Sequence, residues 1–290
     1  MWKGIILAGG SGTRLAPLTK VTNKHLLPVY DKPMIYYPLT TLMLCGIRDI
    51  VIVSSPDSLP KFESLLGSGQ QWGIQLSYSE QSEPRGIADS FLCAEDFIRD
   101  SNTALILGDN IFYGSGLPQR LQLAMDRMRG ACVLGYEVAD PSAFGVVELD
   151  ENGKPISLVE KPLEPRSNLA VTGLYFYDHR VLDMAKDLAP SKRGELEITD
   201  INRIYQEIEA LDVVTLGRGT AWLDGGTHSD LFEASQFIKV IEERTGLKVA
   251  CPEEVAIRSG FIEHSDLERL VSDMPPNGYR EYLSAVLASL

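Results

Sequence analysis

Gly4-Ile5-Ile6-Leu7-Ala8-Gly9-Gly10-Ser11-Gly12-Thr13-Arg14-Leu15 decides how the rest of the chain reads. The apolar run Ile5–Ala8 predicts a buried strand, and the glycines that follow predict a loop whose backbone comes very close to something. Gly9, Gly10 and Gly12 carry no Cβ and can take φ > 0, so successive N–H groups can converge on an anion. Arg14 beside those donors suits a polyphosphate, because a guanidinium forks onto phosphate oxygens. Two familiar phosphate loops do not fit. A Walker A loop ends in Gly-Lys-Ser/Thr, whereas Gly12 precedes Thr13-Arg14. A dinucleotide fingerprint begun at Gly10 needs glycine or alanine where Leu15 stands. A plain glycine-rich turn between strand and helix, with no ligand, is the other reading of the glycines.

Outward from this loop, strand and helix patterns alternate. Strands are predicted at Ile5–Leu7, Ile50–Ser54, Ile74–Tyr78, Thr103–Leu107 and Ala131–Tyr136. Helices are predicted at Pro33–Cys45, with Asp31 before it and Gly46 after it, and at Ser58–Leu66, Gly86–Phe97 and Leu117–Met128. Such alternation argues for an α/β fold with a mostly parallel sheet covered on both faces. The middle changes character. Phe144–Leu149 and Pro155–Glu160 flank Asn152-Gly153 and read as a hairpin, followed by the apolar strand Ala170–Tyr177. Helices near Arg180–Leu188 and Thr199–Ala210 and a strand at Val213–Leu216 lead to Trp222-Leu223-Asp224, and the remainder reads as helical. No repeat or low-complexity linker divides the chain, so one α/β core with an inserted antiparallel part and a helical tail is expected.

The totals narrow the partners. The 290 residues are 44% hydrophobic and 23% charged, enough to bury a sizeable core. A net charge of −13 repels nucleic acid and anionic membranes. An anionic substrate must therefore be met by lysines and arginines gathered locally. Cys45, Cys93, Cys132 and Cys251 form no Cys-x-x-Cys, and scattered thiols suit a reducing cytosol. No apolar run approaches the ~18 residues of a spanning helix, and the N-terminus reads as lacking a signal peptide.

Several residues could carry chemistry. Asp109 follows a predicted strand, where ligands gather in open α/β sheets; it can hold Mg²⁺ or cap a helix. Asp224, before Gly225-Gly226, offers the same two readings. Lys24 is either a ligand group or a solvated lysine. Glu160-Lys161 could bind a hydroxyl and a phosphate or lie on the surface. Arg193 could reach an anion or solvate its loop, and Thr199 and Asp200 are cap candidates. His25, His179, His228 and His264 lack metal-ligand spacing, and no Gly-x-Ser-x-Gly elbow supports a hydrolase.

Gly9–Leu15 followed by Lys24-His25-Leu26-Leu27-Pro28-Val29 resembles the signature of the sugar-nucleotide pyrophosphorylases. Four further stretches, Tyr30–Leu39, Val171–Asp178, Arg193–Asp200 and Leu247–Glu254, are similar to the glucose-1-phosphate thymidylyltransferases within that family, and the matches run nearly end to end. The resemblance implies a single nucleotidyltransferase domain over 1–290 with a Rossmann-like, mixed, mostly parallel sheet. Residues 1–135 would be mainly nucleotide-binding, 136–228 mainly sugar-phosphate-binding, and 229–290 a helical tail for oligomer contacts. It implies Mg²⁺-dependent transfer of a thymidylyl group from dTTP to α-D-glucose 1-phosphate, giving dTDP-glucose and pyrophosphate. That is the first step toward dTDP-deoxysugars such as dTDP-rhamnose, in a cytoplasmic homotetramer.

By the family pattern, Arg14 and Lys24 flank the reacting phosphates, and Asp109 and Asp224 hold the Mg²⁺. Gly9, Gly10, Ser11, Gly12, Thr13, His25, Gln81, Pro84 and Gly86 meet the nucleotide. Ile87, Leu107, Phe144, Gly145, Glu160 and Lys161 meet the sugar phosphate, together with Val171, Tyr175, Arg193, Thr199 and Trp222. Ala250, Cys251, Glu254 and Arg258 match a region that carries a second, regulatory nucleotide site in relatives; an oligomer-packing helix is the alternative. Three positions depart from the pattern: His25 stands for glutamine, Phe144 for tyrosine, and Ile87-Ala88-Asp89 for Leu-Ala-Gln. Phe144 takes a hydroxyl from the sugar pocket, His25 changes a polar contact near the nucleotide, and Asp89 adds a charge by the base loop. The same chemistry with UTP or another sugar phosphate, or a non-catalytic sugar-nucleotide-binding regulator, would share these motifs.

Overall fold

Ile5 and Ile6 are both fully buried, and because strand side chains alternate they face opposite layers. Ile6 packs with Leu39, Leu42 and Met43, whereas Ile5 packs with Val51, Val53 and Phe91. A strand buried on both faces belongs at the centre of a sheet covered by helices. The computed structural model describes residues 1–10 and 12–290. The expectation at Ser11 lies outside the described residues.

β1 (Trp2–Leu7), β2 (Pro28–Val29) and β3 (Lys32–Pro33) precede α1 (Tyr36–Leu44). Then come β4 (Asp49–Ser54), α2 (Leu59–Leu66), β5 (Gln75–Glu80), α3 (Asp89–Cys93) and α4 (Glu95–Ile98). β6 (Asn102–Leu107), β7 (Asn110–Gly114), α5 (Leu117–Arg127) and β8 (Ala131–Glu137) follow. β9 (Gly145–Leu149), β10 (Pro155–Glu160) and β11 (Leu169–Tyr177) lead into α6 (Val181–Asp187) and α7 (Ile198–Glu207). β12 (Leu211–Thr215) and β13 (Thr220–Asp224) precede α8 (His228–Thr245), α9 (Pro252–Arg258), α10 (His264–Asp273) and α11 (Gly278–Ser289).

The main sheet runs β10-β9-β11-β6-β1-β4-β5, with β8 joined to β11 and β12 to β8. β6, β1, β4 and β5 are mutually parallel, and β12 is parallel to β8. β9, β10 and β11 bring the antiparallel pairings. The fold is thus the expected α/β sheet, mixed and mostly parallel at its core, with an antiparallel insertion. β7 and β13 form a separate antiparallel pair beside it. The tail helices α9 to α11 share a core with α1, through Ala256, Leu267 and Leu283 against Leu42.

Several local expectations shift. The predicted 33–45 helix begins only at Tyr36, because Lys32 and Pro33 pair with Val29 and Pro28 in a short hairpin. Asp31 caps nothing there; it is bonded to Lys32 and Lys248, and Lys32 also reaches Glu242 at 2.8 Å, tying α8 to the hairpin. The single helix predicted over 86–97 is two. Its start is drawn out by backbone bonds between Arg85 O and Leu196 N (2.7 Å) and from Ala88 N to Leu196 O (3.1 Å). Its middle is interrupted where the Ser79 hydroxyl donates to Cys93 O at 2.5 Å. Gly86 has φ 110°, and a Cβ there would lie 2.5 Å from Leu196 O, so this crossing of two backbones requires glycine. Gly10 and Gly12 take the predicted positive φ; Gly9 does not, and a Cβ there would lie 2.6 Å from the end of the Gln81 side chain.

Candidate active site

β7 is the element that assembles the site. Its ladder with β13 sets Asp224 opposite Asn110, and Gly225 N–H donates to Asp109 O at 3.1 Å. Two aspartates 115 positions apart in sequence therefore line one cavity. Their surroundings differ. Asp109 is bonded to the Lys24 ammonium and accepts from Asn110 Nδ2 at 3.0 Å. Burial opposes its ionisation most strongly, but the Lys24 charge and the hydrogen bonds from Lys24 and Asn110, acting together with His25, outweigh burial and hold the carboxyl down at about 2. Asp224 is half-buried, its buried Oδ1 has no partner among the described residues, and burial, then the Asp109 charge, push it up to about 7. Asp224 does not cap α8: Thr227 does, accepting from Asp230 N at 3.2 Å in a capping box. An unpartnered buried carboxylate oxygen beside a second carboxylate fits a hard divalent cation that takes few protein oxygens, as Mg²⁺ does. Among the described residues no group of three or more His, Cys, Asp or Glu could hold a metal, so further ligands would come from substrate and water.

His25 is 1% exposed, and its Nδ1 lies 2.7 Å from Asn23 Oδ1. Burial, then the Lys24 charge, lower it to about 3, so it is neutral at pH 7. The unfolded chain takes up this proton near pH 6.5 and the folded chain only near 3. The unfolded state therefore binds more protons between those values, and stability falls as pH drops through that window. At about 1.4 kcal/mol per pKa unit, His25→Gln should lose about 3 kcal/mol less than wild type between pH 7 and 4.5. Urea unfolding at the two pH values measures this; equal losses would contradict it.

Two cavities meet at the site. The larger, about 640 Å³, is lined by Phe144, Gly145, Glu160, Lys161, Val171 and Tyr175, and by Arg193, Thr199, Trp222 and Asp224. Thr199 Oγ1 donates to Glu160 Oε2 at 2.6 Å, and neither Thr199 nor Asp200 caps α7. Arg193 is not free: it grips Glu197 through two nitrogens at 2.8–3.2 Å and lies 3.9 Å from Glu160. Phe144 stacks obliquely on Trp222, ring centroids 5.0 Å apart. The smaller cavity, about 320 Å³, is lined by Gly9, Gly10, Lys24, His25, Gln81, Pro84 and Gly86. Arg14, Ile87, Leu107, Asp109 and Glu195 line both.

Gly12 and Thr13 line neither cavity; they form the 3₁₀ turn that carries Arg14, anchored by fully buried Leu15. Ala250, Cys251, Glu254 and Arg258 lie in the tail, away from both. Cys251 is buried beside the Tyr279 hydroxyl at 3.1 Å, and Arg258 donates to Glu254 at 2.7 Å. Asn110 is the residue that sequence reading missed. Its Oδ1 accepts from Trp222 Nε1 (2.6 Å) and Gly173 N (3.0 Å) while its Nδ2 reaches Asp109, so it joins the carboxylate to the aromatic wall. The apolar run Ile111-Phe112-Tyr113 after it was the available signal of a strand.

The nucleotidyl transferase family profile matches residues 3–240. A glucose-1-phosphate thymidylyltransferase of Xanthomonas campestris pv. campestris is 55% identical over 284 residues, 98% of this chain and 96% of that protein. One from Mycobacterium tuberculosis is 50% identical over 285 residues, 98% and 99% respectively. A crystal structure assigned as a glucose-1-phosphate thymidylyltransferase from Bacillus anthracis, with sucrose, superimposes with TM-score 0.76 at 45% identity over 82% of this chain and 95% of that one. A UDP-glucose pyrophosphorylase with UDP-glucose gives 0.74 at 26% identity over 83% and 99%.

Proposed function

The chain belongs to the nucleotidyl transferase family, and on that premise we propose that it transfers a thymidylyl group from dTTP to α-D-glucose 1-phosphate, releasing pyrophosphate. The observation that carries this is the junction of the two cavities at Arg14 and Asp109, beside Lys24 and Asp224. The smaller cavity takes the nucleotide and the larger the sugar phosphate. Glucose 1-phosphate oxygen bonds to the α-phosphorus as the bond to the bridging oxygen of pyrophosphate breaks on the opposite side. The attacking group is already an anion, so no general base is needed, and catalysis rests on positioning and charge neutralisation.

Arg14 binds the triphosphate and neutralises the leaving pyrophosphate. Lys24, freed from Asp109, contacts the phosphates. Glu160, held by Thr199, accepts from sugar hydroxyls, and Lys161 and Arg193 face the sugar phosphate, Arg193 by loosening from Glu197. Trp222 and Phe144 shape the sugar wall. Asp109 and Asp224 would hold Mg²⁺, which when bound screens the repulsion between the two anionic substrates.

A nucleotide half at 1–135, a sugar-phosphate half at 136–228 and a tail at 229–290 that mediates homotetramer contacts complete the reading. The tail residues Ala250, Cys251, Glu254 and Arg258 are candidates for a regulatory nucleotide. Four free thiols suit a cytoplasmic enzyme. No helix among the described residues is long and apolar enough to cross a membrane. The product would supply dTDP-deoxysugar synthesis.

Initial rates with dTTP and UTP, each crossed with several sugar 1-phosphates, test the assignment. dTTP with glucose 1-phosphate should give the highest kcat/KM. Faster use of UTP or of another sugar phosphate would replace it, and background pyrophosphate release throughout would favour a binding protein.

A further inference from the structure

Asp89, on α3, lies outside the reacting centre and is 1% exposed. It receives three donors, the weakest being the Cys93 thiol, which lies 3.5 Å from Oδ2. Gln81 Nε2 donates to Asp89 Oδ2 at 2.9 Å, and Arg85 Nη2 to Asp89 Oδ1 at 2.7 Å. Gln81 is itself 6% exposed, and its Nε2 also lies 3.4 Å from Gly86 O. A carboxylate and a backbone carbonyl offer only acceptors, so both neighbours require the amide nitrogen on their side. The amide oxygen is turned the other way, over the glycine loop: a Cβ on Gly9 would lie 2.6 Å from it. Gly9, Gln81 and Gly86 line the smaller cavity together. Gln81 therefore presents that cavity with an acceptor.

We propose that Asp89 is a positioning residue for base selection, locking the Gln81 amide so that the cavity takes a pyrimidine whose ring N3 carries hydrogen and refuses one whose N3 accepts. Thymine and uracil are of the first kind and cytosine of the second. Flipping the amide to suit cytosine would set its oxygen against Asp89 Oδ2 with no proton between the two buried acceptors, and would leave that carboxylate oxygen only the weak Cys93 thiol donor. Leaving buried polar groups unpaired is what makes a hydrogen-bonding site reject an analogue strongly. The inference rests on the smaller cavity being the base site, as proposed above.

The test compares kcat/KM for dTTP and dCTP in wild type, Asp89→Ala and Asp89→Asn, with equilibrium binding of dTDP and dCDP and thermal melts of each. Wild type should prefer dTTP by on the order of 10²-fold or more. Asp89→Ala should cut that ratio at least tenfold, mainly by raising KM for dTTP with kcat largely kept. Asp89→Asn, which can still accept from Gln81 while Arg85 swings to solvent, should restore much of the ratio. In a Gln81→Ala background, Asp89→Ala should change the ratio no further. Asp89→Ser serves if the alanine variant does not fold. A ratio that survives while both nucleotides lose activity in step with a lowered melting temperature would mean a purely structural role and overturn the proposal alone. A wild type that uses neither nucleotide, or binds neither diphosphate, would overturn the base-site reading and this proposal with it.

Discussion

Asp224→Asn is expected to lower kcat by about 10³-fold while leaving the fold intact. A metal-assisted phosphoryl transfer relies on its ligands for several kcal/mol of charge stabilisation, and about 1.4 kcal/mol is a factor of ten in rate. The stability side follows from Asp224's surroundings. Its Oδ1 has no partner among the described residues, and burial already disfavours its charge, pushing it up to about 7. Replacing it with a neutral isostere removes a charge that the fold resists holding. Asp109 is a poorer probe because its carboxylate is the buried partner of Lys24. Breaking such a pair costs about 3–5 kcal/mol, so Asp109→Asn should lose activity and stability together. Steady-state rates, Mn²⁺ titration calorimetry and thermal melts of both variants separate the two roles. A lowered melting temperature with retained turnover in Asp224→Asn would contradict the account.

Arg14→Ala is expected to reduce kcat by about 10²–10³-fold, the loss seen when one charge-stabilising donor is removed, with unchanged stability. Arg14 is exposed where the two cavities meet, and its turn is held without it. Leu15 is fully buried, and Thr19 Oγ1 donates to Gly12 O at 2.8 Å. Arg14→Lys should recover only part of the rate, because an ammonium cannot fork across two phosphate oxygens. Near-wild-type turnover in the alanine variant would move the charge stabilisation to other groups.

The sheet was legible because its core strands are runs such as Ile50-Val51-Ile52-Val53, which have few other ways to be buried. Residues flanking those strands, such as Asp109 and the glycine loop, could be picked out because strand ends are where this kind of sheet binds ligands. What the sequence concealed is pairing between distant segments. Nothing local says that Asn110–Gly114 pairs with Thr220–Asp224, yet that ladder is what brings Asp224 to Asp109. The same holds for Gly86, whose tight approach to Leu196 reflects a crossing of chains rather than a local turn. Asp89 read as an added charge by the base loop; the structure shows it satisfied by Gln81 and Arg85. Arg193 and Lys24 read as free cations, and each is held by a carboxylate.

The central claim is that the sugar phosphate attacks the α-phosphorus directly, from a cavity opposite the leaving pyrophosphate. Turnover of one stereoisomer of α-thio-dTTP with glucose 1-phosphate, followed by ³¹P NMR assignment of the product, tests it in one measurement. The account predicts a dTDP-glucose α-thio product of inverted configuration at phosphorus. Retention, which requires two displacements through a covalent intermediate, would contradict it.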